Sequence, residues 1–98
     1  MKLKVGDLLF SEDVLIYVTL TIGPSPVSFG GVMRGDDAKD LQRRLKLLGQ
    51  EGGVSYVAID KNGVELTGFC RIIDLKFEEL ATRPVMIRFS GKLIHPFA

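Results

Sequence analysis

The stretch VSYVAIDKNGVELTGFCRII, residues 54–73, decides the fold class of this 98-residue chain. Its flanks, Val54–Ile59 and Val64–Ile73, are rich in the β-branched and aromatic residues that strands favour. Between them Asp60–Gly63 has the composition of a tight turn, in which glycine supplies the positive φ. The stretch therefore predicts a β-hairpin and, with it, an antiparallel sheet.

Segments with strand-like alternation lie on both sides of this hairpin: Lys2–Val5, Asp13–Ile22 and Val85–Ile94. In the second segment the even-numbered residues from Val14 to Ile22 are predicted to share one face. In the third segment the predicted inward residues are Val85, Ile87, Phe89 and Leu93. The remaining segment, Asp74–Pro84, is interpreted as an excursion from the sheet that contains one helical turn.

One segment has helical rather than strand-like periodicity. Its apolar residues recur at intervals of three and four: Ala38, Leu41, Leu45 and Leu48. Asp36 or Asp37 is predicted to cap the first turn, and Gly49 is predicted to end the helix in the left-handed conformation. The segment therefore predicts one amphipathic helix.

These elements follow one another in the order β-β-loop-α-β-β-β, with hairpin connections rather than repeated βαβ units. The order predicts an α+β fold that is mainly antiparallel β, sandwich or barrel-like, with one amphipathic helix. The length of the chain suits one core, so residues 1–98 are predicted to form a single β-rich domain.

The stretch GPSPVSFGGVMRGDD, residues 23–37, contains the loop of that order, which is predicted to protrude or to form a hairpin at about 23–35. Its glycines before a helix resemble a phosphate cradle, but three aspartates in the first turn would repel a phosphate: Asp36, Asp37 and Asp40. The tripeptide Arg34–Asp36 matches a cell-adhesion motif, but three residues arise easily by chance and the composition is that of an intracellular protein.

Two interpretations of this loop stay open. In the first it is an arm, whose Phe29 and Met33 insert into a neighbouring subunit while Arg34 makes a polar contact at the rim. In the second it folds back onto the core as a hairpin centred near Phe29–Gly31. The predicted subunit-interface residues are accordingly Phe29, Met33 and Arg34.

Few residues in the chain could carry out catalysis. His95 is the only histidine and Cys70 is the only cysteine, so one chain cannot supply a multi-histidine metal site or an internal disulfide. A catalytic triad would have to use His95, which lies in a segment that we expect to fray. We interpret Cys70 as a buried structural thiol and His95 as an exposed tail residue. The sequence predicts no enzymatic activity, no cofactor and no metal.

The charge of the chain is nearly balanced, with 13 lysines and arginines against 12 aspartates and glutamates, so no overall field attracts nucleic acid. The alternative function is a small nucleic-acid-binding domain that uses the basic helix face and the final strand. Two features argue against that function: the acidic residues in the first turn of the helix, and the lack of aromatic residues among the outward positions Arg88, Ser90 and Lys92. No signal peptide and no membrane span are predicted, and a cytoplasmic location, or a virion if the protein is viral, is expected.

About half of the chain, DLQRRLKLLGQEGGVSYVAIDKNGVELTGFCRIIDLKFEELATRPVMIRFSGKLI, resembles small β-rich tail and baseplate proteins of tailed phages and related viruses. The matching features are the helix Leu41–Leu48, the turn Lys61–Gly63, the strand opening Thr67–Phe69 and the strand Val85–Ile94. The resemblance implies a sandwich or barrel protomer that forms rings or tubes, without catalytic residues.

The mean hydropathy of +0.21 is high for a small soluble monomer, so apolar surface beyond one core is expected. The sequence therefore predicts a non-enzymatic structural protein that forms a homo-oligomer, with a heterologous structural protein as a further partner.

Overall fold

The structure, a computed structural model, describes residues 1–95; residues 96–98, which the single-domain prediction includes, lie outside this range. The described elements are β1 (Lys2–Val5), β2 (Leu8–Phe10), β3 (Leu15–Leu20), β4 (Val27–Arg34), α1 (Ala38–Leu48), β5 (Val54–Ile59), β6 (Glu65–Leu80) and β7 (Met86–Ile94).

The strands form a seven-stranded sheet in the order β2-β1-β5-β6-β7-β4-β3, and every pair is antiparallel. The long strand β6 belongs to two parts of this sheet, because Glu65–Cys70 pairs with β5 and Arg71–Leu80 pairs with β7. We call β2, β1, β5 and Glu65–Cys70 the β5 half, and Arg71–Leu80, β7, β4 and β3 the β7 half. The predicted α+β fold, mainly antiparallel with one helix, is confirmed.

The two halves face each other across a core that consists of apolar side chains. Phe10 of the β5 half stacks on Phe89 of the β7 half with ring centroids 5.3 Å apart, and Phe29 lies 6.3 Å from the same ring. Strand β1 also contacts β3, so the sheet curls toward closure. The arrangement is sandwich-like, and helix α1 packs on β4, β6 and β7.

The β5–β6 hairpin forms as the sequence predicts. The Asp60 carboxylate oxygen Oδ1 accepts hydrogen bonds from the backbone N–H groups of Asn62 and Val64, both at 2.9 Å. Gly63 adopts a φ of +82°, which few other residues tolerate. Local turn chemistry therefore fixes the register of the two strands.

The helix also lies where the periodicity predicts it, with Ala38 and Leu45 buried. Asp37 and Gly49 occupy the cap positions, but neither residue acts as predicted. The Asp37 side chain makes no capping hydrogen bond, and Gly49 is right-handed with φ −64°. Glycine at this position instead leaves room for Leu75, because a Cβ on Gly49 would lie 2.9 Å from the Leu75 Cδ1 atom.

The segment 23–35, predicted to protrude or to form a hairpin, is largely the strand β4. The turn before it is closed by the Thr21 N–H, which donates to the Pro26 carbonyl at 2.9 Å. Phe29 and Met33 both have 0% exposure, so the prediction that they insert into a neighbouring subunit is wrong. The segment does form part of a hairpin, as the second interpretation predicts, but Phe29–Gly31 lies within strand β4 rather than at the turn.

Four smaller differences concern strand boundaries and faces. Strand β2, only three residues long, was not predicted, and the excursion predicted over Asp74–Pro84 is instead β6 continuing to Leu80. Ile16 is exposed although Val18 is buried, because an irregularity between Leu15 and Tyr17 interrupts the alternation of β3. Val85, predicted to face inward, lies outside β7 and is 38% exposed.

Candidate functional site

Cys70 is the nucleophile that the sequence offers, and the fold makes it inert. Its side chain has 0% exposure, and burial raises the pKa of the thiol to about 12. The reactive thiolate is therefore scarce at neutral pH, and the interpretation of Cys70 as a buried structural thiol is confirmed.

His95 lies at the end of the described chain with an exposed side chain. Its backbone N–H donates to the Pro24 carbonyl at 3.2 Å. Within residues 1–95, no cluster of three histidine, cysteine, aspartate or glutamate side chains could hold a metal ion. The same residues include no helix that is both long and apolar enough to span a bilayer.

Three basic residues of the helix and the final strand lie beside acidic side chains. Lys39 Nζ lies 2.9 Å from the Glu79 carboxylate, and Arg43 lies 2.7 Å from Asp40. Arg88 of β7 pairs with Glu78 at 3.4 Å. These exposed pairs stabilise the fold little, but they reduce the positive charge on the surface predicted for nucleic acid.

The three predicted interface residues do not form one surface. Phe29 and Met33 lie in the core, whereas Arg34 is exposed at the end of β4. Sequence reasoning missed the apolar residues that are exposed. Ile22 is fully exposed, and the exposed fraction is above one half for Phe69 (68%), Ile16 (61%), Val64 (55%), Leu9 (54%) and Leu47 (51%).

Phe69 lies beside a strand edge that no described strand covers. The Gly6 N–H donates to the Ser55 carbonyl at 2.8 Å, so the backbone groups of Ser55 point toward β1. Phe69 is opposite Ser55, and its own N–H and C=O groups therefore point away from β5. By the alternation of strand backbones, Glu65 and Thr67 point the same way.

On that side of β6, pairing with β7 begins only at Arg71, opposite Ile94. Among residues 1–95, the backbone groups of Glu65, Thr67 and Phe69 thus have no strand partner. We call this stretch, Glu65–Phe69, the β6 edge. It combines unpaired backbone groups with a large exposed aromatic side chain.

The far end of the sheet presents a second uncovered edge, which we call the β3 edge (Leu15–Leu20). The Thr21 N–H donates a hydrogen bond toward the β4 side. Because the backbone groups of successive residues in a strand point in opposite directions, those of Val18 and Leu20 point away from β4. No strand within residues 1–95 pairs with them there. Ile16, 61% exposed, lies on this edge.

A polar cleft of about 180 Å³ lies on the outer face of the β7 half. Its walls carry Tyr17, Ser28, Asp74, Lys76, Ser90 and Lys92, with Gly91 also lining it. The register explains how residues so distant in sequence meet. Tyr17 pairs with Gly30, which pairs with Ser90, which pairs with Lys76.

A broad concavity of about 590 Å³ lies at the β6–β7 connection. It is lined by Glu79, Leu80, Ala81, Thr82, Arg83 and Val85. Glu79 already pairs with Lys39, and the lining contains neither a histidine nor a cysteine, so no general base of ordinary pKa near neutrality lies there.

Comparison of the chain with protein-family models, with curated proteins and with solved structures found no match. The resemblance to phage tail and baseplate proteins therefore stays a prediction.

Proposed function

We propose that the protein is a non-enzymatic structural protein whose copies associate through their strand edges. The observation that carries this proposal is the β6 edge, where Phe69 is 68% exposed beside backbone groups that have no strand partner within residues 1–95. An uncovered edge with an exposed apolar side chain is a template for strand addition. The resemblance described above makes a viral or phage-tail-like particle the assembly that we propose.

The partner surface in this proposal is the β3 edge of a second copy. The two edges lie in different parts of the same sheet, so pairing one with the other is head-to-tail rather than self-complementary. Head-to-tail contacts generate rings when the rotation closes and filaments when it does not. Ile16 and Phe69 supply the apolar contacts that accompany the backbone hydrogen bonds.

Two lysine substitutions test this arrangement by sedimentation velocity. Phe69→Lys and Ile16→Lys each disable one edge, because a charged side chain opposes burial against a neighbour. Each variant alone is expected to sediment as a monomer at concentrations where the natural chain assembles. A mixture of the two variants retains one intact edge of each kind and is expected to form a heterodimer that grows no further.

Leu47→Lys is the matched control, because Leu47 is 51% exposed on α1, away from both edges. This variant is expected to assemble like the natural chain. Persistent assembly of Phe69→Lys would contradict the use of the β6 edge. Loss of assembly in Phe69→Lys alone, with Ile16→Lys unaffected, would replace the head-to-tail contact with a symmetric one between two β6 edges.

A further inference from the structure

We propose that the polar cleft on the outer face of the β7 half binds a phosphate group. The cleft gathers five side chains that can donate hydrogen bonds: Tyr17, Ser28, Lys76, Ser90 and Lys92. Within residues 1–95, none of these five side chains forms a side-chain hydrogen bond or an ion pair with another protein group. The cleft does not include Phe69, but its Tyr17 belongs to the β3 edge, so the binding site adjoins one of the two proposed assembly contacts.

The strand register brings the two lysines to the same face. Lys76 lies opposite Ser90, and Lys92 lies opposite Ile73, so the ammonium groups extend from adjacent strands on either side of the irregularity in β6. Asp74, at φ +54° within that irregularity, contributes the one carboxylate of the cleft. Two ammonium groups against one carboxylate leave a net positive charge that an anion would balance.

A glycine beneath Tyr17 allows the position that the tyrosine ring takes beside the cleft. A Cβ on Gly30 would lie 2.6 Å from the Tyr17 Cε1 atom and 2.9 Å from its hydroxyl oxygen, so the tyrosine ring lies directly over this residue. The absence of a side chain at Gly30 lets Tyr17 extend across β4 toward Ser90. Its hydroxyl thus joins the serine hydroxyls, and its exposed ring offers a surface on which a base can stack.

The side chains of the cleft indicate which chemical class of ligand it would bind. Several hydroxyl donors and two ammonium groups suit a group with many acceptor oxygens and more than one negative charge, which describes phosphate better than a single carboxylate. The phosphate could belong to a free polyphosphate or to the backbone of a single-stranded nucleic acid. The chemistry that the cleft recognises is the same in both cases, and the experiment distinguishes them.

The test is a titration of the isotope-labelled protein, followed by the backbone amide NMR signals of Ser28, Ser90 and Gly91. The probes are inorganic pyrophosphate and a short oligothymidylate. Shifts with pyrophosphate alone identify a polyphosphate site, and shifts with both probes that are stronger for the oligonucleotide identify a phosphodiester site. Either result is expected to weaken as salt is added.

Two variants give the expected directions. Lys76→Ala with Lys92→Ala is expected to weaken binding at least about tenfold, the effect of losing one charge-assisted hydrogen bond. Asp74→Asn is expected to tighten binding, because it removes the opposing charge while asparagine tolerates the left-handed backbone.

The matched control is Lys2→Ala with Lys4→Ala, which removes the same charge from exposed positions on strand β1 in the β5 half. This control is expected to bind like the natural chain. Absence of shifts at the cleft with either probe at millimolar concentration would overturn the proposal. Equal weakening of binding in the two double-lysine variants would also overturn it, because the effect would then come from the overall charge of the protein.

Discussion

Gly31 in β4 explains why a stretch with the composition of a loop forms a strand, and its replacement by alanine tests that explanation. A Cβ at this position would clash with the carbonyl oxygen of Val14 and would lie 3.1 Å from the Leu15 Cα atom. The same carbonyl accepts the Val32 N–H at 2.9 Å. The obstacle is the backbone of the segment that leads into β3. The clash can be relieved only if β3 moves away from β4 and this hydrogen bond lengthens.

The expected cost follows from these two effects. Overpacking against structure that cannot yield costs about 1–3 kcal/mol, and a lost hydrogen bond adds about 1 kcal/mol. Gly31→Ala should therefore lower the free energy of unfolding by about 2–4 kcal/mol, a large share of the ~5–15 kcal/mol typical of a domain. Urea unfolding followed by far-ultraviolet circular dichroism measures this loss, with the natural chain as the reference.

Gly30→Ala, one residue away, is the matched control. Its Cβ would meet only the ring of Tyr17, which is 41% exposed and can rotate outward. The free energy of unfolding should change by less than about 1 kcal/mol, the order of a rotamer adjustment. Equal losses in the two variants, or an unchanged midpoint for Gly31→Ala, would refute the close approach of β3 to β4.

Three further predictions concern the core, the thiol and the turn. Phe29→Ala should cost about 3–5 kcal/mol of unfolding free energy, whereas Phe69→Ala should stay within about 0.5 kcal/mol in a dilute sample; equal costs would contradict the burial of one ring and the exposure of the other. Because burial raises the pKa of Cys70 from its ordinary 9.0 to about 12, the native state keeps a proton that the unfolded chain loses above pH 9. The stabilisation is thus complete below that pH and falls by up to about 1.4 kcal/mol per pH unit toward 12, a slope that urea unfolding should find reduced in Cys70→Ala. Asp60→Ala should lower the urea midpoint by an amount equivalent to about 1 kcal/mol, while Asp60→Asn, which keeps an acceptor oxygen, should lose less.

The elements that the sequence predicted well depend on local chemistry. The hairpin at Asp60–Gly63 is specified by a side-chain acceptor and a positive φ, and both act within four residues. The helix Ala38–Leu48 is specified by its own periodicity. Such signals do not depend on distant parts of the chain, so the predicted positions of the turn and the helix agree with the structure.

The elements that the sequence did not predict depend on distant parts of the chain. Gly30 and Gly31 have the composition of a turn, yet β3 and β7 pair on either side of them and make them strand residues. From the sequence, Phe29 is predicted to be an interface anchor, because nothing near it in the chain could bury it. The ring that packs against it belongs to Phe89, sixty residues later.

The candidate sites illustrate the same limit. Tyr17 and Lys76 share a cleft because Gly30 and Ser90 lie between them across the sheet, and this register has no signature in the sequence. Within residues 1–95, pairing of β6 with β7 begins at Arg71, opposite Ile94, and leaves the β6 edge without a strand partner. Pairing partners, rather than residue types, determine both features.

The mixing experiment with Phe69→Lys and Ile16→Lys tests the central claim, head-to-tail association through strand edges, most directly. Sedimentation velocity at micromolar concentration is predicted to show an assembly for the natural chain, a monomer for each variant and a heterodimer for their mixture. A natural chain that stays monomeric at every concentration would contradict the claim, and so would a mixture that stays monomeric while the natural chain assembles.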